Sequence, residues 1–417
     1  MSDAPLAAAT ARAAPSPYAW FLGSVGSWAL AGSMNQVVFT WLVVGELRAS
    51  AQWVGVAQMC LALPTLGLVL FGGLLADRVE LRRLVAWLHV AAAAITAALA
   101  AAIASDHLAL SLLLVFALAW GTIQAFVAPA RDAQVSHVTT GNLLRAITGA
   151  TLVQFTASAA GARLGGIAEP LGSAAALTLQ AGILLAGLLA VRRLPAHGRP
   201  TARGDGAGTL AALRSGLVEV AQSPRLLPVA LLVTANGLFF MGPFQVLGPL
   251  LIRDVYKGGA RELALQWMVL SLGAMAGSLA VLVRGGLRRQ GRAFMVALVG
   301  VCACLFAIAA GPPFWAFLAI VFAWGVLHSL FFNTSRALFQ ENASSANRAR
   351  VLSVHSLGFL GMTPLSNLGC GLLARAFGPA AGCAIAGAAM LAVVAASCFA
   401  SAEVRRMITG ESACVES

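Results

Sequence analysis

The chain has 417 residues, of which 59% are hydrophobic and 10% charged; 27 Lys and Arg stand against 15 Asp and Glu, a formal charge of +12. Soluble domains are about 45–50% apolar and about 25% charged, so a water-soluble fold is excluded, and the mean hydropathy of +0.86 agrees. Apolar runs recur from residue 19 to residue 400, which excludes a soluble domain on one anchor and defines a polytopic α-helical membrane protein.

A tail over 1–18 comes first. Its "APSPYAW" lacks the basic start and small-residue cleavage site of a signal peptide, so the N-terminus is expected to be retained. Twelve predicted spans follow, near 19–44, 51–75, 82–104, 108–130, 145–168, 171–191, 226–252, 263–283, 293–311, 313–333, 351–374 and 378–400. The longest break, 192–225, is polar, basic and rich in Gly and Pro. It is read as a cytoplasmic linker between two six-helix bundles, 19–191 and 226–400, with a second tail at 401–417. With the N-terminus inside, 21 of the 27 Lys and Arg fall on the cytoplasmic side and five on the other, with Arg163 inside a span. That bias places both termini in the cytoplasm. It also accounts for the positive charge without nucleic acid.

The halves repeat each other. "FALAWGTIQAFVAPARDAQ" (116–134) aligns with "IVFAWGVLHSLFFNTSRAL" (320–338), so Gln124 corresponds to His328 and Arg131 to Arg336. Two parallel six-helix repeats are a plan of secondary transporters, with the substrate site near the midplane between them.

Five charges crowd the loop after the second span, in "FGGLLADRVELRRLV" (71–85). Orientation explains Arg78, Arg82 and Arg83, but not Asp77, Glu80 or the glycines. The stretch "GGLLADRVELRRL" resembles the loop signature of the major facilitator superfamily: Gly73, then Asp77 and Arg78, then Arg82 and Arg83. Glu80 stands where that family has a second glycine, and Leu81 replaces a basic residue. The acidic residue, "APARDAQV" (128–135) and "RARVLSVHSLGFLGMTPL" (348–365) are similar to the branch of siderophore (enterobactin-type) exporters and macrolide efflux proteins. The resemblance implies that Asp77 docks near the start of the eleventh span, where helix N–H groups attract a carboxylate. Arg78 and Arg131 would complete the ion network of a cytoplasmic latch. "ASAAGARLGG" in the fifth span resembles the antiporter signature of family exporters, with Gly161, Gly165 and Gly166 present and Ala162 in place of a proline.

Polar groups inside spans are expensive and face a cavity or a partner. The cavity candidates are Asn35, Gln36, Gln58, Gln124 and Gln154 in the first half. In the second they are Asn236, Gln245, His328, Asn333, His355 and Asn367. The competing reading of each amide is an interhelical hydrogen bond. Trp41, Trp120, Phe239, Phe240 and Trp324 offer stacking faces. Arg163 is open to three readings: pairing with an anionic cargo, pairing with Glu169, or reaching out to the interface. No carboxylate sits at the midplane, so proton coupling, if it follows the family, runs through Asp77, Glu46, His328 or His355. The seven cysteines lack metal-ligand spacing and read as inert thiols.

The resemblance implies an inner-membrane secondary transporter that exports a small amphipathic molecule, a siderophore or a drug-like compound, by alternating access and proton antiport. An uptake permease of the same fold is the alternative. Intramembrane nucleophile–base pairs and phosphate loops are absent from the sequence, so an enzyme is not expected, nor a cofactor or metal. The expected partners are substrate, proton and bilayer, and the chain is expected to act as a monomer.

Overall fold

The computed structural model describes residues 16–138, 143–195, 209–284, 287, 289–344 and 347–409. Side chains at 69–78, 128, 132–133, 135–137, 143–145, 147, 209–213, 349 and 408–409 lie outside that description.

The first half is built from α1 (Pro17–Trp41), α2 (Ala51–Arg78), α3 (Leu81–Ala104), α4 (Leu110–Val138), α5 (Leu143–Gly165), the short α6 (Ala168–Leu171) and α7 (Ser173–Arg192). The second half is built from α9 (Leu226–Gly242), α10 (Gly248–Asp254), α11 (Ala260–Val283), α12 (Gln290–Ala309), α13 (Phe314–Asn342), α14 (Arg348–Gly361), α15 (Thr363–Phe377) and α16 (Pro379–Ala400). Between the halves lies α8 (Thr209–Gln222), and α17 (Ala402–Thr409) closes the described chain. Among the described residues, eleven helical segments are long and apolar enough to cross a membrane. The twelfth span is α5. Its Gly, Ala, Ser and Thr lower its hydropathy, and it packs between α1 and α11. Small residues of this kind let helices approach closely in a membrane. The result is an all-α membrane fold of twelve spans in two related bundles.

The repeat is visible in the backbone. The first span of each half contains a π-helical turn, Leu42–Glu46 at the end of the first and Pro243–Leu247 between α9 and α10 in the second. The last span of each half starts after a glycine with positive φ: Gly172 at 86° and Gly378 at 83°. Only glycine takes that conformation readily. Gly121 lies against the Leu61 carbonyl, and its repeat partner Gly325 lies against the Leu270 carbonyl. A side chain at either position would push α4 from α2, or α13 from α11.

The halves meet along two seams, α2 with α15 and α5 with α11. Among the described residues, hydrogen bonds between the halves run from mid-span to the end opposite the arginine-rich loops. Asn367 Nδ2 donates to the Gln58 carbonyl (3.0 Å) and Arg253 Nη1 to the Ala49 carbonyl (2.7 Å). Arg375 donates to Gln52, and the Arg261 N–H to Glu169 (3.4 Å). Three of the five cationic residues on this sparsely charged side therefore take part in ties between the halves.

At the other end the structure departs from the predicted boundaries. Helix α4 continues past 130 to Val138 and α13 past 333 to Asn342. Arg131 and Arg336 are therefore helical residues, not loop residues. The linker contains α8, which packs on α14. Glu219 of α8 accepts the Ser344 N–H (2.9 Å), and Arg350 Nη1 donates to the Ser215 hydroxyl (3.3 Å). The Ser344 N–H holds the Glu219 carboxyl below its ordinary range, aided by the Asn347 and Ser344 side chains and opposed by slight desolvation.

Candidate functional site

Two chambers lie between the halves. The first, about 360 Å³, is walled by α1, α4 and α5 on one side and α11 on the other. The second, about 230 Å³, lies among α1, α2, α4, α9, the second π-turn and the α14–α15 junction. Gln36 and Gln124 line both. Together the chambers suit a drug-sized ligand.

The α1 wall is one helical face: Trp28, Gly32 and Gln36 recur at four-residue spacing. Gly32 leaves room between the two larger side chains. The α4 wall is also one face, Trp120, Gln124, Val127 and Arg131. Trp28 Nε1 donates to Gln124 Oε1 (2.8 Å). The Trp28 ring stacks on Trp120 at 6.3 Å and meets His89 edge-on at 5.0 Å. Arg131 Nη1 donates to Gln154 Oε1 (2.7 Å), so α4 and α5 together orient the guanidinium at the cavity wall. From the second half come Trp267 and Ser271 of α11, and Gln245 and Thr363 around the second chamber. Three buried atoms of lining residues have no partner among the described residues: Gln36 Oε1, Trp267 Nε1 and Thr363 Oγ1. A buried polar atom without a partner costs free energy unless water or ligand meets it. A side chamber of about 20 Å³, roomy enough for one water, opens beside Arg131 between His89 and Gln134.

The candidates divide. Gln36, Gln58, Gln124, Gln154 and Gln245 line the chambers. Asn35 is buried within the first half, accepting from Gln180 Nε2 (3.2 Å). Asn236 is buried in α9, away from both linings. His328 packs against Phe359 at 5.9 Å, so it does not mirror Gln124 in the cavity. His355 pairs with the Ser335 hydroxyl (2.9 Å) between Phe332 and Phe339. Asn333 is exposed and lines neither chamber. Asn367 is a tie: it also donates to Gln245 Oε1 (3.0 Å). Arg163 is exposed at the end of α5, while Glu169 takes the Arg261 N–H instead.

Of the gate candidates, Gly73, Asp77 and Arg78 have side chains outside the described residues. Glu80 sits at the start of α3 and bridges Arg82 (3.2 Å) and Arg83 (2.6 Å). Arg131, grouped with them from the sequence, stands in the cavity wall. The glycine motif is an interface. Gly161 and Gly165 abut Leu30 and Val37 of α1, and a Cβ on Gly166 would lie 3.1 Å from Ala264 Cβ of α11. Trp28 and Trp267 were not singled out from the sequence. The four-residue spacing Trp28–Gly32–Gln36 and Trp267–Ser271 was the available signal.

Twelve spans in two related halves around a polar, aromatic chamber define a membrane transport protein. The Major Facilitator Superfamily model matches residues 21–365, and the chain belongs to that superfamily. Solved structures agree on the fold. The nucleoside transporter NupG is 12% identical with a TM-score of 0.71, covering 92% of this chain and 98% of that one. A bacterial homolog of the human lysosomal transporter Spinster, inward-facing and unoccupied, is 13% identical with a TM-score of 0.65, covering 95% and 98%. A POT family transporter in complex with 5-aminolevulinic acid is 12% identical with a TM-score of 0.68, covering 92% and 96%. No curated protein matches the sequence.

Proposed function

We propose that the chain is a bacterial inner-membrane exporter that moves a small amphipathic organic molecule, a siderophore or a drug-like compound, out of the cytoplasm by proton antiport. The observation that carries this reading is the interhalf chamber, with Gln36, Gln124, Arg131 and Gln154 on one side and Trp267 on the other. Polar edges joined to aromatic faces suit an amphipathic cargo.

The arginine bias supports a cytoplasmic location for both termini, the 192–225 linker and the 401–417 tail. On that orientation the ties described above shut the outer side and leave the chamber on the cytoplasmic side. Alternating access then consists of breaking those ties while residues 71–83 close the inner end, with Asp77 and Arg78 as latch and Arg82 and Arg83 as its basic flank. Six-helix domains at 19–191 and 226–400 rock about the two seams, and one chain suffices. Gly161, Gly165 and Gly166 support export over uptake through their resemblance to the antiporter signature.

The test is flux by purified protein in liposomes, with a pH gradient imposed in either direction and cargo drawn from siderophore and drug panels. Cargo movement against an inward proton gradient, abolished when that gradient is collapsed, is expected. Accumulation in the same direction as protons would overturn export in favour of an uptake permease.

A further inference from the structure

We infer that the second chamber takes an amide edge of the cargo, a C=O and an N–H side by side as in a lactam or a primary carboxamide, between Gln58 of the first half and Gln245 of the second. This deepens the reading of the chambers as the cargo site and rests on it.

Two backbone carbonyls fix which end of each side-chain amide is free. A carbonyl only accepts, so whatever touches it must donate. The Thr40 hydroxyl donates to the Gln36 carbonyl (2.6 Å), so its oxygen is left to accept, and Gln58 meets it with Nε2 (2.9 Å). Gln58 Oε1 is left over as an acceptor. Across the seam, Asn367 Nδ2 donates to the Gln58 carbonyl (3.0 Å), and the same amino group donates to Gln245 Oε1 (3.0 Å). Gln245 Nε2 is left over as a donor. Turning Asn367 or Gln245 round would set acceptor against acceptor or donor against donor. Gln58 and Gln245 both line the second chamber. Their free ends match a group that donates to one and accepts from the other. A carboxylate lacks the donor, and an ammonium lacks the acceptor.

Thr363 adds an independent observation. Thr40, Thr122, Thr178, Thr234 and Thr334 return their hydroxyls to the carbonyl four residues back. Thr363 begins α15 directly after the turn at Met362, with Pro364 next, and makes no such bond. It is 5% exposed, lines the second chamber, and its Oγ1 has no partner among the described residues. One turn before Asn367, this hydroxyl is placed to donate to the second lone pair of the cargo carbonyl. Gln36 Oε1, also unpartnered, takes the further N–H of a primary carboxamide. Trp120 supplies a flat wall for a planar amide.

Three bicyclic probes test this, titrated calorimetrically into the purified protein in nanodiscs with empty nanodiscs subtracted. Isoquinolin-1(2H)-one carries the edge, 2-methylisoquinolin-1-one keeps the C=O and loses the N–H, and 1-methylnaphthalene has neither. The lactam should bind about tenfold tighter than its N-methyl derivative, since the methyl leaves a buried acceptor unmet. The hydrocarbon should be weakest. Partition into lipid runs in the opposite order, because added apolar surface favours the bilayer. Gln58→Met should bring the lactam and its N-methyl derivative to equal affinity, whereas Gln245→Met should weaken both alike. Thr363→Val removes a hydroxyl that no bond of the fold uses. It should weaken both carbonyl probes about threefold, the worth of an average interhelical hydrogen bond, and Thr363→Ser should not. That pair keeps the test open even where a glutamine variant does not fold. Equal binding of lactam and N-methyl derivative, tightest binding of the hydrocarbon, or no binding of any probe would overturn the inference. So would a lactam preference that survives in Gln58→Met, or carbonyl probes indifferent to Thr363→Val. Flux separates this result from the transport reading. Lactam bound selectively while nothing from the cargo panels or the probes moves in liposomes would sink transport and leave the amide site standing. Cargo carried by a protein that shows no lactam preference would do the reverse.

Discussion

Gly55 and Gly371 face each other where α2 meets α15, and the smallest side chain at either position should act as a wedge. A Cβ on Gly55 would lie 2.8 Å from Gly371 Cα and 2.7 Å from the Asn367 carbonyl, well inside the 3.4 Å at which ordinary contact begins. Both obstacles are backbone, so no side chain can swing aside and the helices must part. Overpacking of this kind costs about 1–3 kcal/mol. The cost falls on the state in which this seam is shut, whereas the gain in helix propensity from Gly to Ala, at most about 1 kcal/mol, is common to both states and cancels. Gly55→Ala should therefore lower the ratio of shut to open seam by about 5- to 150-fold. Spin labels at Asp106→Cys and Trp315→Cys, both exposed, report the separation of the halves at that end by pulsed EPR. The described cysteines are mostly buried, and Cys414 can be replaced by serine. A longer distance population is expected in Gly55→Ala and not in Gly182→Ala, where a Cβ meets nothing within 4 Å. Identical distributions in all three proteins, or an equal shift in the control, would refute the wedge argument.

Asp77→Asn should shift the population toward the inward-open form and slow flux without blocking insertion; cysteine accessibility on both faces together with liposome flux checks it. Glu219 is held below its ordinary value of 4.5 mainly by the Ser344 N–H. A depressed carboxyl stabilises the docked α8 above its free pKa and loses that contribution only as pH falls through the lowered value. Docking should thus be indifferent to pH from about 6 to 8, while Glu219→Gln speeds amide exchange over Thr209–Gln222 already at pH 7. Gln124→Ala removes the partner of Trp28 Nε1 and should weaken cargo binding about threefold, the worth of an average interhelical hydrogen bond. His328→Gln, outside both linings, should leave cargo affinity unchanged in the same titration.

The spans were legible because a bilayer demands long apolar helices whatever their neighbours. Even α5, whose small and hydroxylated residues dilute its hydropathy, showed as a run at 145–168. Its reason for being less apolar was not legible, since it depends on α1 and α11 lying on either side. The two helices whose ends were misplaced, α4 and α13, continue through polar, arginine-containing sequence that reads as loop. The amides stood out in the sequence as costly groups for a span. Which of them face the chamber was not: Gln36 lines it, while Asn35, one residue away, points into the first half toward Gln180. A step of one residue turns a helix by about 100°, and composition carries no record of which direction is inward. The aromatic wall was legible only in part, Trp120 but not Trp28 or Trp267, for the reverse reason. A tryptophan in a span is cheap in lipid, so Trp28 and Trp267 raised no alarm until their partners were in view.

The repeat carries the fold more faithfully than the chemistry. Elements that set geometry recur in both halves: the π-turns, the positive-φ glycines Gly172 and Gly378, and the glycine–carbonyl approaches of Gly121 and Gly325. The residues that set chemistry do not. Trp120 stacks on Trp28 beside the chamber, whereas its counterpart Trp324 is buried against Phe240 and Phe244. Gln124 is in the wall and His328 is packed on Phe359; Arg131 is held by Gln154, whereas Arg336 lies over the Phe332 ring. Rocking two bundles requires that their frames match, because the same seams must serve both states. Recognising one cargo makes no such demand, since a single asymmetric molecule touches each half differently. The chamber wall is therefore free to differ between the halves, with Gln124 and Arg131 on the first and Trp267 on the second, while the frame around it repeats.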